Sequence, residues 1–301
     1  MSLRAHPAPG LGFGAVDHAL DLDRGDRRKI LVNRLATVLS LAVASVLLLA
    51  LLAILGTVVV RGIGALTVTF FTQGAVDWDQ GGALAAIIGS LMLVPLATLI
   101  AAPIGIGAGV LLAETRSGRF SSLVRTCTEI LVGLPPIVVG IFVFMLMVAP
   151  VGHTSALAGV VAIAIIMTPL IARSVEEILR LVPGSLREAS LALGIPEWRT
   201  IMSVVVKGAM GGILTAVMLA LARGAGETAS LMLTAYSGGQ VINEFDMTSA
   251  TDSLPTFIYY NAGQANDTLV AQAWGASLLL LVFVLLVNLL VRGRSIGRRA
   301  Q

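Results

Sequence analysis

Arg223 and Glu227 interrupt residues 208–235, a stretch otherwise free of charge. An ionisable side chain inside hydrocarbon costs about 2.5–3.5 kcal/mol on insertion scales, so its presence points to function by default. The i, i+4 spacing sets both residues on one helix face, within reach of each other. A guanidinium is a planar fork that matches the oxygens of an anion such as phosphate. A loosely held Glu227 would release Arg223 as an anion passes, so that the anion is never trapped. The competing reading is a buried structural pair locking two helices, and these two residues alone do not choose between them.

Arg173 repeats the pattern, with Glu176 at i+3 and Glu177 at i+4. It stands 17 residues beyond Ala156, about 26 Å along an ideal helix. That is near a membrane boundary, where an ordinary flanking Arg is the alternative to a pathway residue. Arg125 and Arg199 read as such flanks. Pro135 and Pro136 remove two backbone donors from an apolar run and kink or unwind it. Irregular backbone at membrane depth is tolerated only where protein packs it or it lines a cavity. The two prolines therefore mark either a pathway lining or hinge, or a plain kink. Gly105, Gly107 and Gly109 have neither the preceding strand nor the following acid of a nucleotide fold, and read as close helix packing.

The elements that position these residues follow from the shortage of charge. Of 301 residues, 56% are hydrophobic and 12% charged, against about 25% charged in a soluble domain. Mean hydropathy is +0.93. A soluble enzyme, a disordered chain and a disulfide-stapled module are excluded. The single Cys127 and the scattered His6, His18 and His153 offer no metal cluster. Apolar runs at 35–60, 81–113, 130–150, 156–172, 208–235 and 273–291 approach or exceed the roughly 20 residues of a span. The second holds Pro95 and Pro103, and is either one long kinked span or a span plus a flank. The fold class is an all-α polytopic membrane protein of about six transmembrane helices. All but three of the 20 Lys and Arg lie in the N-terminal segment, after spans two and four, or in the tail. The positive-inside rule places those segments, and both termini, in the cytoplasm. Residues 1–34 form a cytoplasmic leader without evident cleaved signal, 35–291 the membrane domain, and 292–301 a basic tail. The outer segment 236–272 carries four acidic residues and no basic one. With Tyr236, Phe257, Tyr259, Tyr260 and Trp274 in or beside it, it is a contact surface or a solvated loop.

Residues 174–207 are a polar cytoplasmic loop. Ser185 with Glu188 has capping-box spacing, and Leu186, Ala189 and Leu193 share a face. The spacing predicts a short amphipathic helix between Gly184 and Gly194, which as it stands is a connector, an interfacial helix or a docking element.

Glu188-Ala189-Ser190, three residues, then Gly194 resembles the EAA motif of ABC-importer permeases. In that family the motif is a coupling helix that docks into a cleft of the ATPase. Where the family continues with Ile-x-Leu-Pro, this chain has Val204, Val206 and Lys207, so the proline that breaks the chain before the next helix is replaced. Residues 88–91 and 103–105 look like the start of the permease core. Residues 133–140, 169–177 and 222–229, the last reading Ala-Arg-Gly-Ala-Gly-Glu-Thr-Ala, are similar to the PstA-type permeases of phosphate importers, and the resemblance covers about residues 30–295. It implies a type I importer permease fold and a pathway that includes Arg223, Glu227, Arg173, Glu176, Glu177, Pro135 and Pro136. It implies ATPase coupling through Glu188, Ala189, Ser190 and Gly194. The implied partners are a second permease (PstC-type), an ATPase dimer (PstB-type), an extracytoplasmic phosphate-binding protein (PstS-type) and the bilayer, with no nucleic acid. No phosphate-binding Gly-x4-Gly-Lys-Ser/Thr loop is present, so ATP is expected on the partner and no cofactor on this chain. A permease for sulfate or molybdate, and a secondary transporter or channel, are the other readings; the 188–194 helix speaks against the latter.

Overall fold

The chain is seen in a computed structural model that describes residues 24–74, 81–115, 118–238 and 246–297. Among these residues every regular element is helical. A bilayer offers backbone groups no water, so a spanning helix must satisfy its own N–H and C=O groups. Four helices are long and apolar enough to cross: α1 (Arg24–Ile63), α3 (Leu84–Glu114), α6 (Ala156–Arg180) and α12 (Asp267–Gly297). The short α2 (Val68–Thr72) lies between the first two.

Two bent helix pairs bring the candidate crossings to between four and six. α4 (Arg119–Gly133) meets α5 (Pro136–Val143), with a π-helical turn at Phe144–Val148, at 106°. Leu134 is extended and Pro136 opens the new helix, where a missing N–H costs nothing. α8 (Glu197–Thr200), continued by a π-helical turn at Ile201–Val206, meets α9 (Met210–Ala225) at 71°. The remaining short helices are α7 (Gly184–Ala192), α10 (Ala229–Thr234) and α11 (Leu254–Ala262).

Several expectations need correction. The expected fifth span, 208–235, is not one helix: α9 stops at Ala225 and α10 starts at Ala229. Gly224 and Gly226 flank that stop, and glycine holds a helix poorly. α3 keeps Pro95 and Pro103 within one helix, which settles the second span as a single long one. α1 begins at Arg24, so the last part of the expected 1–34 leader is helical; residues 1–23 lie outside the described residues. α12 runs on to Gly297, into the expected tail.

Residues up to Gly56 and residues from Thr57 onward form two units. The described part of the first is the α1 segment, which from Leu35 to Gly56 is uncharged and rich in Leu, Val and Ala, as suits a helix surrounded by an apolar medium. In the second, α3, α6 and α9 build the core, with Leu93, Ile163, Met167, Ile171 and Leu179 fully buried. Small residues set the spacing. A Cβ on Gly105 would stand 2.7 Å from the Ile171 Cβ, and one on Gly109 2.7 Å from the Ala172 carbonyl oxygen. Gly107 faces open space, so close packing rests on the i, i+4 pair and not on all three glycines. α6 begins under a backbone lid: the amides of Ala156 and Leu157 donate to the carbonyls of Ser249 and Met247. These satisfy donors that a helix start leaves unpaired.

Candidate functional site

The α6 sequence Arg173-Ser-Val-Glu176-Glu177-Ile-Leu-Arg180 places two arginines one turn either side of a carboxylate. Glu176 faces the core and is 1% exposed. A buried carboxylate needs charged partners, and three converge on it. Arg125 of α4 donates to Oε1 at 2.6 Å, Arg180 lies 2.7 Å from the same oxygen, and Arg173 lies 3.7 Å from Oε2. Arg125 also donates to the Leu112 carbonyl of α3 at 3.2 Å. Arg173 donates from Nε to the exposed Glu177 at 2.9 Å. The two glutamates therefore differ in role: Glu176 is an interior anchor for three cations, while Glu177 is a surface partner of one. Arg125 is not an ordinary flank.

Arg223 and Glu227 do not form the expected pair. The helix ends before Glu227 can occupy the next turn, and Glu227 instead accepts the Ser230 amide at 3.2 Å, at the start of α10. Arg223, in the last turn of α9, is exposed and makes no ion pair among the described residues. It lies 13 residues beyond Met210, about 20 Å along the helix. Here is a cation at the broken end of a spanning helix with its donors uncommitted. Pro135 and Pro136 sit at the other break, where Gly140 of α5 packs against Ser230 of α10, to within 2.8 Å of its Cα for an added Cβ. The helix that follows the α4–α5 break and the short helix that follows Glu227 thus touch.

The predicted short helix exists as α7, but its capping box does not. Pro183 is the N-cap, and Ser185 lies inside the helix without a capping bond. Leu186, Ala189 and Leu193 point outward, and Leu186, Leu191, Leu193 and Trp198 are exposed. The edge toward the rest of the chain is polar. Ser190 is buried and shares a 2.8 Å hydrogen bond with the Thr200 hydroxyl, and Arg187 forks onto Glu114 at 2.8 and 3.2 Å. Glu188 is exposed, and Gly194 has φ +77°, the left-handed conformation glycine adopts without penalty as α7 ends.

The acidic segment 236–272 is only partly one surface. Phe257 is buried in a core with Phe70 and Leu254, Trp274 lies under Arg61 at 5.2 Å, and Tyr259 and Tyr260 are exposed. Burial, and then the Asp252 charge, push the Tyr236 hydroxyl above its ordinary range. Bonds from the Thr248 amide, the Thr248 hydroxyl and the Ser249 hydroxyl hold the Asp246 carboxyl below its own. Glu244 lies outside the described residues.

Comparison with known proteins places this architecture. Residues 105–293 match the family described as binding-protein-dependent transport system inner membrane component. The phosphate transport system permease protein PstA of Yersinia pestis is 41% identical over 266 residues, covering 86% of this chain and 88% of that protein. The chain belongs to the PstA-type permease family. A protein of the same name from Mycobacterium leprae is 38% identical over 269 residues, covering 87% and 88%. Two solved structures share the fold of this PstA-type permease. The inward-facing MetNI methionine ABC transporter aligns with TM-score 0.58 at 24% identity, over 70% of this chain and 94% of that one. A bacterial importer of alginate aligns with TM-score 0.56 at 15% identity, over 88% and 98%. The protein is a multi-pass inner-membrane permease with the type I ABC-importer fold.

Against the motif, the permease keeps its break without the family proline. Lys207 follows the π-helical turn, a loosened ladder by nature, and Gly208 follows it in turn; the 71° bend forms there. The residues missed in the sequence are Arg125, Arg180, Arg187 and Glu114. Arg180 was visible as the i+4 neighbour of Glu176. Arg125 and Glu114 had no local signal, since their partners are 51 and 73 residues away.

Proposed function

We propose that this chain is the transmembrane permease subunit of an ATP-driven importer of inorganic phosphate, forming half of the pathway with a homologous second permease. The similarity to phosphate-transport permeases across most of the chain carries the reading. The unpaired Arg223 supports it chemically, because a guanidinium at a broken helix end is a weak, reversible partner for an oxyanion. Arg173 serves the same pathway nearer the cytoplasm. Glu227 and Glu177 are its neighbouring acids, Glu176 positions the arginines, and Pro135 and Pro136 keep the backbone bent beside the pathway.

Glu188, Ala189, Ser190 and Gly194 belong to the surface that couples to an ATPase dimer. The apolar residues α7 leaves outward fit a partner cleft better than water. An extracytoplasmic binding protein delivers phosphate from the other side. ATP is hydrolysed on the separate ATPase, and this chain holds no cofactor. The distribution of Lys and Arg puts both termini in the cytoplasm.

The test is reconstitution of the four-component importer in vesicles. Phosphate accumulation that requires ATP and the binding protein is the expected result. Accumulation of sulfate or molybdate in its place would reassign the substrate. Uptake by this chain without the ATPase would make it a carrier or channel.

A further inference from the structure

Arg187 is the fourth residue of α7 and turns away from the exposed face. Its Nη2 and Nε donate to the two oxygens of Glu114 at 2.8 and 3.2 Å. Its Nη1 donates to the Val182 carbonyl at 2.8 Å and its Nη2 to the Leu179 carbonyl at 3.2 Å. Both side chains are largely shielded, at 24% and 15% exposure. One guanidinium thus satisfies a carboxylate and two carbonyls.

The location is as telling as the count. Glu114 is the last residue of α3, and Leu179 stands in the last turn of α6. The C-terminal end of a helix carries partial negative charge and unpaired carbonyls. Two such ends converge here, with a formal carboxylate added, and a single cation on α7 neutralises the junction. α3 and α6 also pack closely against each other, through Gly105 and Gly109. A displacement delivered to both ends moves them together.

We propose that the Arg187–Glu114 fork is the joint through which movement of α7 is transmitted to α3 and α6. Arg187 and Glu114 are positioning residues: neither meets phosphate or ATP. The proposal rests on the reading of α7 as the ATPase-docking helix. The Ser190–Thr200 bond ties the same helix to α8. α7 is therefore pinned by one face both to the α3–α6 core and to the segment leading into α9. A helix held only by apolar contacts could slide on its seat, whereas a forked ion pair has directional bonds and resists displacement.

The experiment uses the complete importer in vesicles with Glu114→Gln, Arg187→Gln and Arg187→Lys, and reads phosphate transported per ATP hydrolysed. Glu114→Gln is nearly isosteric and spares the two carbonyl bonds. The expected result is an ATPase that remains bound and active, with transport per ATP lowered at least fivefold in Glu114→Gln and tenfold or more in Arg187→Gln. Arg187→Lys, a point charge without the fork, falls between wild type and Arg187→Gln. An unchanged ratio in both Gln variants overturns the proposal. Loss of the bound ATPase from both also overturns it, because the pair would then shape the docking surface and not transmit its movement. Glu188→Arg is the separate control: if the ATPase stays bound and active there, the docking reading of α7 fails, whatever the ratio in the other variants.

Discussion

Arg125 donates to Glu176 at 2.6 Å, joining α4 to the buried side of α6 across 51 residues of sequence. The same carboxylate is within 2.7 Å of Arg180 and 3.7 Å of Arg173. A cation that carries an anion is useful only if its own position is fixed, and this carboxylate fixes three.

Glu176→Gln leaves those guanidiniums facing a neutral group. Removing one partner of a buried pair costs about 3–5 kcal/mol, and the partial exposure of the arginines puts this change near about 3 kcal/mol. Melting of the purified importer in detergent should show a clear fall for Glu176→Gln and almost none for Arg199→Gln, whose side chain is exposed. Equal melting of the two would remove Glu176 from its anchoring role.

Arg223→Gln should abolish phosphate uptake while the complex assembles normally. No ion pair among the described residues is lost with the side chain, so stability should move by less than about 0.5 kcal/mol, as for an ordinary surface change. Uptake within twofold of wild type would take Arg223 out of the pathway. Glu227→Gln weakens the acceptor of the Ser230 amide and should lower uptake less.

Glu188→Arg reverses a charge on the exposed face of α7 without touching the core. Co-purification of the ATPase should fall by more than tenfold, with this chain still inserted and folded. A charge reversal at the exposed Arg199, Arg199→Glu, should not release the ATPase.

Gly105, Gly107 and Gly109 of α3 give a graded packing test. Gly109→Ala forces a methyl against the Ala172 carbonyl and Val175, and Gly105→Ala one against Ile171. Overpacking of this kind costs about 1–3 kcal/mol. Gly107→Ala meets nothing within 4 Å and should be neutral or slightly stabilising, since alanine holds a helix better. Thermal melting of the three single variants checks the order.

The loop at Asp246 should respond to acid. The bonds from Thr248 and Ser249 lower the Asp246 pKa in the folded loop. Their contribution is full above the unfolded carboxylate pKa and is lost as pH falls through the folded value. Exchange of the Thr248 amide, corrected for intrinsic rate, should show protection at neutral pH that disappears in acid. Asp246→Asn should show no such step.

Composition and charge placement alone determined that the chain crosses a membrane several times, because long uncharged runs cannot be soluble and bilayer thickness sets their length. They also singled out Arg223 and Glu227 as charges inside an apolar run, Arg173 as a charge near a membrane boundary, and a short amphipathic helix at Glu188. Tertiary structure decided the partners. Sequence spacing paired Arg223 with Glu227, but α9 ends at Ala225 and sends Glu227 to Ser230. Leu186, Ala189 and Leu193 shared a helix face, yet only the packed chain shows that the face points outward and that Arg187 and Ser190 face in. Periodicity reports which residues share a side, and not which side the rest of the molecule occupies. Nor can local spacing find Arg125 for Glu176 or Glu114 for Arg187, because those pairs exist only once α3, α4, α6 and α7 have folded together.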